Sequence, residues 1–298
     1  MNLVTNCDWS KLSNTELEKE LYYEENIEIL ENIINRTIKE YDNIPRTKYC
    51  KDIRLSKEQL KQELQNINKE VSKFLDIENS SLPSIRYRDI YSSFKYEIFP
   101  LLTLFAGSSL FGLTALLYLK NAPNISTIFT GTFGMYYFKE LNDYRINFKN
   151  IRSSYYHNNN LMLICKEDRK EIISDIAHEQ THHVQKKLKW PLENDDYKIL
   201  IEGHARGVER HVARIYAERE NDKRIIKSIL PGTLLEYVGI YMKMCERMKK
   251  KINIKLLKNH NTEYRPGMHA VGNTLFSIAE EKFGPKVYAG ALRGVFAF

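Results

Sequence analysis

His178, Glu179 and His182 stand in the spacing His-Glu-x-x-His, inside the stretch "DIAHEQTHHVQ" from Asp175 to Gln185. On an α-helix, residues four apart share one face, a single turn from each other. Both imidazoles can then reach one divalent ion. Glu179 projects beside the same point, placed to take a proton from a water on the metal. Asp175 lies one turn earlier, a candidate partner for a ligand imidazole. The chemistry such a set serves is metal-assisted hydrolysis. Two plainer accounts compete with it: a histidine-rich polar helix face with no metal, and a bound zinc that does no chemistry.

Such a site needs elements to hold it. Asn158 to Cys165 ends in an apolar stretch bounded by polar residues, which reads as a strand. The "KEDR" segment then gives a turn. Glu171, Ile172, Ile173, Ile176 and Ala177 open a helix whose apolar side faces inward. A catalytic zinc takes three protein ligands and leaves a position for water, so a third ligand must come from elsewhere. The metzincin pattern would place a glycine and a histidine at positions here filled by Gln185 and Leu188, and is excluded. Downstream, "LIEGHARGVERHVARIYAERE" reads as a second helix from Leu200, opened by Glu202, with Ala205, Val208 and Val212 as its packing face. Gly203 and Gly207 would let it approach the first helix closely.

With "HEQTH" at 178–182 and the Glu-Gly-x-Ala form "EGHA" at 202–205, the chain resembles the gluzincin, thermolysin-like group of zinc metallopeptidases. The resemblance covers roughly Asn158 to Arg214. It implies one catalytic Zn2+ on His178, His182 and Glu202, with Glu179 as general base. It also implies that the strand at Leu161 to Cys165 lines the substrate backbone as an antiparallel edge. One departure is plain: the group carries an acidic residue one turn after the glutamate ligand, and here that position is Arg206. Glu209 and Asp175 are the acidic replacements at hand.

Peptide hydrolysis by this route also needs a donor for the developing oxyanion. Tyr264 is the first candidate and His269 the second. A tyrosine, a glycine-containing helix and a Phe-Gly turn also resemble the helical C-terminal half of gluzincins. His183 points about 100° away from His182 around the helix and should not share the ion. His204 is off-face too, a candidate for lining the cleft, and His211 reads as a surface histidine.

The rest of the chain divides by composition. Residues 1–95 are charged and helix-prone, with capping-box patterns at Ser13/Glu16 and Ser56/Gln59. Leu60, Leu64, Ile67, Val71 and Phe74 repeat as an a/d seam. Leu17, Leu21, Leu30, Ile33, Ile34 and Ile38 stripe the earlier helix. A helical hairpin is expected, open to helical self-association through this region. Residues 96–138 hold Ile98 to Leu119, which contains no charged residue and is long enough to span a bilayer, and the more polar Ile125 to Phe138. Basic residues flank both sides, Arg86, Arg88 and Lys95 before and Lys139, Arg145, Lys149 and Arg152 after. That places both flanks in the cytoplasm if the hairpin inserts. The alternative is an apolar hairpin buried in a soluble cytoplasmic protein. Residues 139–298 hold all eight histidines and the candidate chemistry.

A net charge of +7 is spread without a nucleic-acid-binding motif, so no nucleic-acid partner is expected, and an anionic membrane surface suits it as well. Cys7, Cys50, Cys165 and Cys245 form no CxxC pair, which argues against a cysteine zinc site or a disulfide framework. The N-terminus has no signal-peptide pattern. The expected fold is therefore α+β and mainly helical: a zincin-like catalytic domain with a small sheet, preceded by a helical hairpin and an apolar, membrane-anchoring one. The expected function is zinc-dependent hydrolysis of a peptide or protein substrate at the cytoplasmic face of a membrane. The alternative is an inactive membrane-associated scaffold that keeps a peptidase fold.

Overall fold

Both capping boxes form. The computed structural model describes residues 13–44, 55–78, 81–87, 153–165, 168–192, 194–257 and 266–293. Ser13 opens α1 (Asn14–Lys19), its hydroxyl accepting from Glu16 N–H while the Glu16 carboxylate accepts from Ser13 N–H. Ser56 and Gln59 do the same for α3 (Lys57–Phe74). Each box satisfies amides that the first helical turn leaves without partners. Between them runs α2 (Glu24–Asp42), burying Leu30, Ile33 and Ile34.

Residues 1–86 and 154–298 cluster as one unit, and residues 87–153 as another. The expected membrane hairpin at 96–138 lies outside the described residues, as do Tyr264 and His260. Among the described residues, no helix is long and apolar enough to cross a membrane.

The N-terminal hairpin is corrected. The main contacts of α2 are with α7 (Leu230–Arg247) and α8 (Met268–Phe283), while α3 packs on α4 (Arg169–Lys187) and α5 (Lys198–Arg219). The stripes are real, since Leu60, Leu64, Ile67 and Val71 are buried, but they face the C-terminal helices. An apolar stripe requires cover without specifying which surface provides it. The faces expected to serve self-association are thus already covered within the chain.

The described residues are mainly helical with one three-stranded sheet of order β1-β3-β2. The strands are β1 (Ser84–Tyr87), β2 (Ser154–Tyr156) and β3 (Leu161–Ile164). β2 and β3 pair antiparallel, with Tyr155 opposite Met162. All four residues of β3 are buried, as an uninterrupted apolar strand should be. β3 is the central strand. Neighbours on both sides use its backbone groups, so the expected edge role for Leu161 to Cys165 fails. The reason is β1, four residues inside a zone otherwise read as helical.

α5 is the hub. It packs against α4 on one hand and α8 on the other, with the short α6 (Arg224–Lys227) and α9 (Lys286–Leu292) also against it. Gly203 meets Gly272 of α8: a Cβ added at Gly203 would lie 2.4 Å from the Gly272 carbonyl, and one at Gly272 would lie 2.0 Å from Ile199 O. Gly207 is covered by the Tyr288 ring, 1.9 Å from where its Cβ would stand. The two glycines therefore serve α8 and α9, rather than the approach to α4 that the sequence suggested.

Candidate metal centre

α4 carries the histidine pair. Asp168 caps it, accepting from Lys170 N–H at 3.0 Å, and Ile172, Ile173, Ile176 and Ala177 bury its inner side. His178 and His182 then project together, their Nε2 atoms 3.1 Å apart. Glu202, early in α5, brings Oε2 to 3.4 Å from His178 Nε2 and 3.7 Å from His182 Nε2. One ligand atom from each of the three residues lies within 4.8 Å of the others.

These distances can be tested against an ion. Metal–nitrogen distances of ~2.0–2.1 Å around a tetrahedral zinc place its donor atoms about 3.3 Å from one another. The observed separations of 3.1, 3.4 and 3.7 Å fall around that value.

The hydrogen bonds behind the rings settle which nitrogen is left over. His178 Nδ1 meets Glu209 Oε2 at 3.1 Å. A carboxylate only accepts, so Nδ1–H donates and Nε2 is the nitrogen left to take a second proton or a metal. Behind His182 stands Gln185. Its amide nitrogen donates to Ile201 O at 3.0 Å, which fixes the amide orientation and turns Oε1 to His182 Nδ1 at 2.8 Å. His182 must therefore donate there, and its Nε2 is left over too. The same Gln185 nitrogen reaches His204 Nδ1 at 3.2 Å, and His204 Nε2–H donates to Tyr288 O at 3.0 Å. Two Nε2 atoms and a carboxylate thus converge where a cation, a proton or a metal ion, is favourable.

Without a metal, the same carboxylates draw a proton onto His178, which a metal ion would have to displace. Burial lowers the proton affinity of His178, but hydrogen bonds to Glu202 and Glu209 outweigh it and raise its pKa to about 10. Burial also opposes ionisation of Glu202, yet His178, His182 and His269 hold its carboxyl far below the carboxylate range. Glu209, lifted by burial and pulled down by Arg206 and His178, settles at about 2. Arg206 Nη1 lies 3.0 Å from Glu209 Oε2, so the arginine that departs from the resemblance secures the carboxylate behind His178. Glu179, 7% exposed, is raised by burial to about 7.

The expected residues sort clearly. His178, Glu179, His182 and Glu202 share the site, and His269 joins them, with Nδ1 3.1 Å from Glu202 Oε2. Tyr264 lies outside the described residues. His183 is turned away, with Nδ1 2.9 Å from Tyr155 OH and Nε2 2.6 Å from Ser81 O. His204 is corrected: it is fully buried behind Gln185 and lines no cleft. His211 stacks on Phe74, ring centroids 3.7 Å apart, and is not a free surface residue. Gln185 went unrecognised as a ring holder. Its position three residues after His182 was the available signal.

The buried neutral histidines carry a pH consequence. Burial lowers His183 to about 4 and His204 to about 3, against an ordinary 6.5. At these two residues the unfolded chain therefore binds more protons than the folded one below pH 6.5. Their contribution to stability is full above that pH and is lost as pH falls towards 4 and 3. The raised His178 and Glu179 act with the opposite sign over the same range, so the test is the difference between variants, read by urea unfolding at pH 7 and pH 5. His183→Gln should lose less stability than wild type on going from pH 7 to pH 5, and an unchanged slope would refute the assignment.

No family model, curated protein or solved structure matches this chain.

Proposed function

We propose that this chain is a zinc-dependent hydrolase of peptide bonds, with His178, His182 and Glu202 as ligands and Glu179 as general base. The observation that carries the reading is the convergence of three ligand atoms from two helices within 4.8 Å. Two histidines and a carboxylate form a donor set that catalytic zinc takes, leaving one position for solvent. The Glu-Gly-x-Ala stretch supports a gluzincin-type site and a zincin-like domain around it, with Glu209 in place of the usual acidic residue.

When bound, zinc polarises the scissile carbonyl and makes nearby solvent more acidic. Glu179 accepts the attacking water's proton and returns it to the leaving amine. Its burial keeps bulk water from competing for that proton. Glu209 and Gln185 hold the two rings in their working tautomers. His269, beside Glu202, is the oxyanion candidate that stands at the site and the side chain proposed to face the developing charge. The uncharged Ile98–Leu119 stretch supports the reading that this chemistry serves substrates at the cytoplasmic face of a membrane.

Metal analysis tests the proposal. Purified wild-type protein should carry one zinc per chain and His178→Ala none. Glu209→Gln keeps an acceptor for His178 but loses the charge. It should weaken zinc binding by about 10–100-fold, read against a competing chelator. Wild-type protein that is isolated without zinc and takes up none on dialysis would sink the reading.

A further inference from the structure

Arg210 is 5% exposed, and its guanidinium has no carboxylate at ion-pair distance among the described residues. Its hydrogen bonds go to neutral oxygens: Asn273 Oδ1, Ser277 Oγ at 2.7 Å and Tyr288 OH at 3.4 Å. Acidic groups approach it only through intermediaries. Glu236 accepts from Asn273 Nδ2 at 2.6 Å, and Glu280 from the Tyr288 hydroxyl at 2.9 Å. A buried guanidinium lacking a direct counter-charge is costly, because its lost hydration is only partly replaced. Neighbouring arginines are paired: Arg36 with Glu281 at 2.7 Å and Arg214 with Glu40 at 3.0 Å.

Arg210 borders a cavity of about 1020 Å³ formed by α2, α5, α7 and α8. Thr233 borders it too, 7% exposed, with its hydroxyl making no hydrogen bond to any described residue. Thr233 lies in the first turn of α7, a helix with no side-chain cap, where backbone amides add positive potential. Ile33, Ile44, Ile226 and Leu230 give the same cavity an apolar wall. The cavity's other four cations, two of them in the ion pairs above, are matched in number by four carboxylates on its border. The buried Arg210, a free hydroxyl and an apolar wall are the parts of a site for a small amphipathic acid.

We propose that this cavity binds a small organic acid, with its carboxylate or phosphate on Arg210 and Thr233 and its apolar body along the isoleucine wall. This site is separate from the metal centre. Binding is read without turnover, so its outcome is independent of the peptidase reading.

The test is calorimetry on the full chain as isolated, with octanoate, octyl phosphate and octanol as probes. At least one acid should bind at one site per chain, and octanol at least about tenfold more weakly. Preference between the two acids distinguishes a carboxylate from a phosphate ligand. Arg210→Lys should weaken the acid by about tenfold or more. Thr233→Val, which keeps the shape and removes the hydroxyl, should weaken it severalfold and decides the matter alone if the arginine variant does not fold. The proposal is overturned if neither acid binds, if octanol binds equally well, or if both variants bind like wild type. Binding that survives both substitutions but disappears in His178→Ala would place the acid on the metal centre, and overturns it equally.

Discussion

Glu179→Gln should lower hydrolysis of a mixed-sequence fluorogenic peptide library by about a thousandfold, while zinc content stays at the wild-type level. The size follows from the role, since a positioned general base contributes about 10²–10⁴-fold. Metal content is expected to hold because the substitution leaves His178, His182 and Glu202 in place, with Gln185 and Glu209 behind the rings. Glutamine also fills the same volume at a position only 7% exposed, so the fold should not change. Equal turnover by the variant would remove Glu179 from the mechanism. A wild type that holds zinc yet cleaves no peptide would instead favour the scaffold reading, in which the variant keeps its biological activity.

Gly203→Ala should destabilise the protein by about 3 kcal/mol, because overpacking of a closed contact costs roughly 1–3 kcal/mol and backbone is the least yielding neighbour. The new Cβ would meet the Gly272 carbonyl at 2.4 Å. No rotamer change relieves a clash with backbone, so α5 and α8 must separate. Gly272→Ala is the reciprocal case, with Ile199 O at 2.0 Å. The separation also reaches the chemistry, because α8 brings His269 to 3.1 Å from Glu202. Zinc affinity should therefore fall together with the unfolding midpoint. Gly232→Ala is the control. It lies inside α7 with nothing within 4 Å of an added Cβ, so alanine should stabilise by about 0.5–1 kcal/mol. If Gly203→Ala melts like wild type, the tight crossing of α5 and α8 is wrong.

Much of this protein could be read along the chain, and the reason is that those parts are local. A capping box needs four consecutive residues, so Ser13/Glu16 and Ser56/Gln59 announced α1 and α3. Four-residue spacing puts His178 and His182 on one face whatever surrounds them. The apolar stretch at β3 was long enough to recognise. β1 and β2, four and three residues long, have too little alternation to be seen alone. Their pairing energy comes from β3, and β1 is what moves β3 from the edge to the centre of the sheet.

Folding supplied the pairings between distant elements. Amphipathic stripes on α2 and α3 say that a face is covered, yet which helix covers it depends on the shape of the whole core. Glu202 could be named from a resemblance, but its approach to the histidine pair depends on how α5 crosses α4. The choice of Glu209 behind His178 and the Gln185–His204 relay behind His182 depend on the same crossing. Residue spacing fixes directions within a helix. It leaves the angle between two helices open, and in this chain a pair of facing glycines sets how closely α5 and α8 come together.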